Sequence, residues 1–384
     1  MKGTSFGDVD IIKTVDSIFA DALARGASDI HIEPQNDKMI IRYRIDGILK
    51  VVVTENMDLF ELMLARIKIM ADLETTGLPR SQEGNIKFEH VDMRVSILPT
   101  SFGENVVIRI LEAARKVESF EELGFTSKQI LSLESIIQKP FGLILVTGTT
   151  GSGKSTTLFT MLNKLNTPER KLATLEDPVE RKIDMVRQTQ INLEVGLTFA
   201  EGLRCLLRQD PDIIMVGEIR DNETARIAVD AAVTGHLVLA SIHTNNAAGA
   251  IIRLLNMGVE PFLLSSAIRF ISCQRLARLN CHNCLEQITP TPEMLNALNA
   301  PKDMKFFHSK GCDECDSKGF KGRAGIHEIL VPTQAIKNLI LSRPTDDQII
   351  TQAEKEGMEN LRQVALSKVN EGLITVEEAL RITE

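Results

Sequence analysis

FGLILVTGTTGSGKSTTLFTMLNKL, residues 141–165, decides the fold. Its first seven residues are a short apolar run, as expected of a strand buried on both faces of a parallel sheet. GTTGSGKS, residues 148–155, then fits G-x-x-x-x-G-K-[ST] at every fixed position. TTLFTMLNKL reads as the helix that follows. This order aims the backbone N–H groups of Gly148, Thr149, Thr150, Gly151, Ser152 and Gly153 at phosphate oxygens beside a helix N-terminus. Lys154 reaches the outer phosphates, the Ser155 hydroxyl ligates magnesium, and Thr156 completes the nucleotide-binding set. The expected ligand is a nucleoside triphosphate.

Downstream, KLATLE, DIIMVG and HLVLASIH are further short apolar strands, spaced by helical segments. Such alternation predicts an α/β domain with a parallel sheet. It is interrupted at residues 281–315 by a Cys-rich insert and becomes helical and charged over 333–384. Upstream the pattern differs. Val15, Ile18, Phe19, Ala22 and Leu23 recur at helical spacing, with Gly26 where a cap belongs. SDIHIEP, MIIRYRIDG, MRVSILP and VVIRIL alternate as strands, Asp46-Gly47 is a turn signal, and Leu59–Met70 is a second amphipathic helix. This is a small α/β domain over 1–111. The charged stretch 112–124 is read as a linker, and 125–384 as the second domain.

Three other motifs carry chemistry. In DPDIIMVGEIRD, residues 210–221, Glu218 follows a strand at the edge where parallel sheets bind ligands; it is placed to hold magnesium or to orient water. LEDPVE, residues 175–180, sets Glu176 and Asp177 side by side after another strand, either as water activator and metal ligand or as a solvated turn. TGHLVLASIHTN brackets a strand with His236 and His243. His243, at its carboxyl end, is read as functional, facing a γ-phosphate; His236 is open between structure and function. Arg204 and Arg208 share a helix face, Arg220 follows Glu218, and Arg94 and Arg109 lie in strands of the first domain, where a charge needs a partner.

Cys281-x-x-Cys284 and Cys312-x-x-Cys315 are matched pairs separated by 27 residues. Four thiolates in this pattern suit tetrahedral zinc. With no open coordination position, the role is structural. Cys205 and Cys273 fall outside the pairs and read as small buried hydrophobes.

Composition narrows the field. The net charge is -8, Trp is absent and Tyr43 is the single tyrosine, which disfavours nucleic-acid wrapping and base stacking. No apolar run approaches a membrane span, and the first residues carry no signal-peptide h-region. The expectation is an acidic, cytosolic protein.

GTTGSGKST, EDPVE, LLRQDPDIIMVGEIRD, TGHLVLASIHTN and the paired CxxC motifs, in this order, resemble the secretion ATPase superfamily, and within it the type II secretion and type IV pilus assembly ATPases. The resemblance runs from about Gly26 to Glu384. It implies a PAS-like domain followed by a RecA-like phosphate-loop ATPase domain with a tetracysteine zinc insert. It implies ATP or ADP, magnesium and zinc as bound species, and a homo-hexamer on the cytoplasmic face of an inner membrane. That ring docks on platform proteins and powers pilin or pseudopilin assembly, without direct nucleic-acid contact. By the same resemblance EDPVE is an aspartate box, GEIRD lies in a Walker B motif, and His236–His243 form a histidine box. Arg94 and Arg109 reach toward the phosphates, while Arg204, Arg208, Arg220 and Arg323 serve subunit contacts or nucleotide sensing. Such proteins usually carry a further amino-terminal domain that docks on a platform protein and in some binds cyclic di-GMP, so this sequence is expected to be a piece of a longer chain. SQEGN at 81–85 replaces the family's frequent QDGR, and Asn85 offers no guanidinium. Two other readings compete: a nucleotide-sensing scaffold, disfavoured by Glu176, Glu218 and both histidines, and a zinc-ribbon nucleic-acid binder resting on Lys310, Lys318, Lys321 and Arg323.

Overall fold

The computed structural model describes residues 10–45, 47–111, 119–298, 301 and 304–383, with the backbone alone for 296–298. The chain divides into two compact units, Met1–Lys116 and Val117–Glu384.

The first unit runs α1 (Ile11–Ala24), β1 (Ala27–Pro34), β2 (Lys38–Ile45), β3 (Ile48–Asn56), α2 (Met57–Met70), β4 (Gln82–Phe88), β5 (Val91–Thr100) and β6 (Gly103–Leu111). Its strands form one antiparallel sheet in the order β3-β2-β1-β6-β5-β4. Period-two alternation sets its faces. Ile41, Tyr43 and Ile45 join Val15, Phe19, Phe60 and Met63 of the two helices in the core, each full burial being worth roughly 1.5–3 kcal/mol. The Tyr43 hydroxyl donates to the Ile18 carbonyl at 2.9 Å, so the one polar atom it buries is satisfied. Arg42, Arg44, Arg94 and Arg109 alternate with these core residues and emerge on the opposite face. Gly26 ends α1 with φ 64°, a conformation that favours glycine. Ile45 pairs with Ile48 across the expected turn, of which Asp46 lies outside the described residues. The edge strands β3 and β4 were not marked by the sequence pattern.

In the second unit come α3 (Ser127–Ile137), β7 (Gly142–Thr147), α4 (Lys154–Leu165), β8 (Leu172–Glu176), β9 (Arg187–Gln190), α5 (Phe199–Leu207), β10 (Ile213–Val216), α6 (Asn222–Val233), β11 (Leu237–Ile242), α7 (Ala247–Asn256), α8 (Pro261–Ala267) and β12 (Ile268–Asn280). There follow β13 (Leu285–Ile288), α9 (Pro292–Leu298), β14 (Phe306–Ser309), β15 (Phe320–Leu330), α10 (Gln334–Leu341), α11 (Asp346–Lys355), α12 (Leu361–Asn370) and α13 (Val376–Thr383). The main sheet has the order β15-β12-β7-β11-β10-β8-β9. It is parallel from β9 to β12, as the alternation predicts, and only β15 runs antiparallel, against β12. Its central strands are buried along their whole length, which is why they read as unbroken apolar runs. One core packs α4 beneath the sheet, and another packs α5, α6, α7 and α8 on the other face.

Asn280 pairs with Phe320, so the cysteine segment is an excursion between β12 and β15 that carries its own β13–β14 hairpin. A separate core of Ala277, Phe306, Ile326 and residues of α12 and α13 supports it. Of the expected linker, residues 112–118 lie outside the described residues, while Phe120 is buried in the core under α4 together with Phe125, the first residue of the expected second domain.

Candidate functional site

β7 ends at Thr147, and the loop 148–153 turns directly into α4. Gly148 has φ 146°, and a Cβ there would lie 2.4 Å from the Gln274 carbonyl and 2.6 Å from Ser152 Oγ, so only glycine fits. Gly153 takes the left-handed conformation at the N-cap of α4 and makes no side-chain cap, leaving the first N–H groups of the helix free for an anion. Thr149, Thr150 and Gly151 are exposed, Ser152 is buried, and Ser155 and Thr156 are half-buried. Lys154 folds back over the loop, its Nζ donating to the Gly148 and Thr149 carbonyls at 3.1 Å each. Burial holds its ammonium below the ordinary value; Glu218 opposes this and Arg275 adds to it. The Ser155 hydroxyl donates to Glu180 Oε1 at 3.2 Å.

Four strand ends converge on this loop. Glu218 stands two residues beyond β10, ion-paired with Arg220 and 3.6 Å from His243 Nε2. Burial, followed by the Lys154 charge, lowers the His243 pKa; Glu218 opposes both. Glu176 ends β8 and is buried. Its Oε1 accepts from Thr174 at 2.5 Å and from Gln188 at 2.9 Å. Burial pushes the Glu176 carboxyl above its ordinary value, and those hydrogen bonds oppose the shift. Asp177 is exposed and joined to Pro178 by a cis peptide. His236 lies at the amino end of β11, the end opposite the loop, with Nδ1 3.1 Å from the Ala231 carbonyl.

Arg94 and Arg109 are direct cross-strand neighbours in the first unit. Arg94 pairs with Glu83 at 2.6 Å in the open, whereas Arg109 Nε donates to the buried Asp29 at 3.0 Å. Asn85 pairs in register with Arg94. In the second unit Arg204 pairs with Glu223, Arg208 donates to Cys205 Sγ at 3.4 Å, and Arg323 faces Arg278 across β12 and β15. Cys205 is therefore only half-buried, contrary to the sequence reading, because α5 turns it toward Arg208; Cys273 is fully buried as expected.

Cys281, Cys284, Cys312 and Cys315 have their sulfurs within 4.8 Å of one another. The Sγ–Sγ distances are 3.8 Å for 281–312, 3.9 Å for 284–315 and 3.8 Å for 312–315. A tetrahedron with Zn–S of about 2.3 Å has edges of about 3.8 Å, so three of the six sulfur pairs already stand at the spacing that zinc requires and the others lie within 4.8 Å. Backbone N–H groups of Cys312 and Gly319 point at Cys315 Sγ at 3.2 Å, stabilising a thiolate there. Nearby, Lys310, Lys318 and Lys321 are ion-paired with Glu286, Asp316 and Glu314.

Sequence reasoning missed Gln274 and Arg275. Gln274 is buried on β12; its Nε2 donates to the Ser152 carbonyl at 2.7 Å and its Oε1 accepts from Thr157 at 3.0 Å. It thus ties the loop to α4. Arg275 Nη2 reaches the Asn245 carbonyl at 3.3 Å and Oδ1 at 3.4 Å. Across the same strand ends, Thr147 and Thr244 hydroxyls meet at 2.7 Å.

Comparison with known proteins agrees with this geometry. The family profile described as Type II/IV secretion system protein matches residues 5–381. The chain is 42% identical over 383 residues to the type II secretion system ATPase E of Vibrio cholerae serotype O1, covering 98% of this chain and 76% of that one. It is also 42% identical over 379 residues to the type IV pilus assembly ATPase PilB of Thermus thermophilus, covering 97% of this chain but 43% of PilB. Among solved structures, the pilus retraction motor PilT with bound ADP superposes with a TM-score of 0.64 at 26% identity, over 96% of each chain. The Legionella pneumophila ATPase DotB gives a TM-score of 0.70 at 19% identity, over 100% of this chain and 98% of DotB, a likeness of fold. Among the described residues, no helix is long and apolar enough to cross a membrane.

Proposed function

The chain belongs to the type II/IV secretion system protein family, and on that premise we propose that it is the ATP-hydrolysing motor of a secretion or pilus-assembly machine. It is an ATPase whose second unit is a RecA-like phosphate-loop domain. The observation that carries this is the convergence of loop 148–153, Lys154, Glu218 and His243 on one edge of the parallel sheet, where such sheets bind ligands.

The residues divide the work. Loop N–H groups and the N-terminus of α4 take the phosphates. Lys154 exchanges the Gly148 and Thr149 carbonyls for the β/γ-phosphate oxygens, a stronger, charge-assisted contact. Ser155 and Glu218 present the hard oxygen donors that suit magnesium, which supplies charge neutralisation on the phosphates when bound. Glu218, held by Arg220, also orients water. Glu176 is a carboxylate whose basicity is raised by burial, the property a proton acceptor needs. His243 adjoins Glu218 and faces the γ-phosphate. Arg94 and Arg109 bring guanidinium charge from the first unit to the transferring phosphoryl group. The working form is a homo-hexamer at the cytoplasmic face of an inner membrane, acting on platform proteins of the machine. The four cysteines hold structural zinc.

ATP turnover by the assembled protein tests the proposal. Lys154→Ala is expected to abolish turnover and weaken nucleotide binding. Glu218→Gln, which keeps shape and removes charge, is expected to bind ATP while turnover falls by orders of magnitude. Full activity in Lys154→Ala would sink the assignment, and a more damaging Glu176→Gln would move water activation to Glu176.

A further inference from the structure

We propose that Arg275 is an additional nucleotide-binding residue, whose guanidinium takes the terminal phosphate of ATP and so makes the site prefer the triphosphate to the diphosphate. This deepens the ATPase reading and rests on it.

The placement comes first. Cys273 opposite Thr147 is the last pair between β12 and β7. Beyond it β12 continues while β7 gives way to the phosphate loop, so Gln274 and Arg275 stand beside the loop. Gln274 already holds the Ser152 carbonyl from one side. Arg275 leaves the strand on the other side and reaches Asn245, two residues past His243. Its guanidinium therefore spans from β12 toward the end of β11, where His243 approaches Glu218 at 3.6 Å.

The second observation is an unused donor. Arg275 Nη2 is anchored on Asn245, but Nη1 is buried and has no hydrogen-bond partner. A buried cationic N–H without an acceptor is costly, and the acceptors that match a guanidinium fork are carboxylate and phosphate. Glu328, a carboxylate on which the Arg275 charge bears, already accepts from the Ala247 and Leu361 N–H groups, and Glu218 is paired with Arg220. The Arg275 charge also bears on Lys154, so two cations share a region whose acidic complement is spoken for. An incoming phosphate satisfies both. The α- and β-phosphates of either nucleotide fall to the loop amides and the N-terminus of α4. The position on the His243 side, where water must attack, is that of the phosphate that ADP lacks.

Isothermal titration of the full chain with magnesium-ATPγS and magnesium-ADP tests this, in wild type, Arg275→Gln and Arg275→Lys. A charge-assisted hydrogen bond predicts that Arg275→Gln loses about ten- to a hundredfold in ATPγS affinity. ADP affinity should stay within about threefold of wild type. Arg275→Lys should fall between, because it keeps the charge and loses the anchored fork. Equal losses for both nucleotides would make Arg275 a structural prop, and unchanged affinities would remove it from the site; either overturns the proposal while leaving the ATPase reading intact. A wild-type chain that bound neither nucleotide would overturn both.

Discussion

Gln274→Leu isolates the brace of the phosphate loop, because leucine fills the volume and removes both polar contacts. The Ser152 carbonyl loses its 2.7 Å donor and is left buried without one, at a cost of about 1–3 kcal/mol. Thr157 loses a 3.0 Å acceptor but keeps the Gly153 carbonyl at 3.3 Å, so its loss is nearer about 0.5–1 kcal/mol. The sum, roughly 1.5–4 kcal/mol, is a large part of a domain stability of about 5–15 kcal/mol. It has two outlets. If the loop keeps its shape, the second unit loses that stability. If the loop lets go, stability recovers and nucleotide affinity falls by about tenfold per 1.4 kcal/mol. Urea unfolding separates the units, because Tyr43 is the only tyrosine and there is no tryptophan, so intrinsic fluorescence reports the first unit alone. Circular dichroism reports both. The expected result is an unchanged Tyr43 transition with an earlier transition by dichroism, a weaker ADP isotherm, or both. Wild-type values in both measurements would refute the brace.

Three further outcomes follow from the geometry. Elemental analysis should find one zinc per chain; zinc of this kind is worth roughly 10–16 kcal/mol of apparent binding energy, so Cys315→Ser should unfold the excursion after Asn280 while leaving ADP binding within about threefold, and a metal-free chain with an ordered excursion would contradict this. Arg94→Ala and Arg109→Ala should each lower turnover much more than ATP affinity; Arg94 is the cleaner test, since its partner Glu83 is exposed, whereas Arg109 also supports the buried Asp29, and equal kcat in Arg94→Ala excludes it from catalysis. Acid should destabilise the second unit in two windows. Burial holds the His327 imidazole near pKa 4, with Nε2 on the Leu123 carbonyl and Nδ1 on Ser272, so the unfolded chain alone takes up a proton between pH 6.5 and 4 and stability falls across that range by up to about 3 kcal/mol. Burial would raise Glu378, but hydrogen bonds from Arg381 and Arg278 outweigh it and bring the carboxyl to about 2, so its contribution is complete above 4.5 and is lost as the pH falls toward 2. Urea midpoints against pH should show the upper window flattened in His327→Gln.

The sequence made β7, β8, β10 and β11 legible because each is buried on both faces and reads as an uninterrupted apolar run. β12 and β15 escaped notice because Gln274, Arg275, Arg278 and Arg323 break the apolar pattern at positions where they meet the loop or the cysteine excursion. β3 and β4 were missed for another reason: they are edge strands, and residues such as Val51 and Glu83 face solvent. The phosphate loop was legible as a local spacing, and the cysteines as two. Gln274 carries no local signal. It lies over a hundred residues from Ser152, and its role exists only because β12 settles beside β7. Glu378 carries no local signal either. It sits in a charged helical segment, yet it is fully buried between Arg278 and Arg381, which only the packing of α13 on β12 reveals.

The position of β7 in the middle of the sheet has a consequence for how the protein is made. Its two neighbours are β11 and β12, both distant in sequence, so GLILVT leaves the ribosome with neither edge paired. At roughly 5–20 residues per second, the strand waits roughly 6–25 s for Cys273 to be synthesised, a long interval for an apolar strand with two open edges. In the first unit every strand pairs with a sequence neighbour on at least one edge, through β1–β2, β2–β3, β4–β5 and β5–β6, and only the β1–β6 edge has to wait. Newly made second unit is thus the part of the chain most exposed to aggregation, and slower elongation across residues 148–273 should lower soluble yield where the same slowing within the first unit does not.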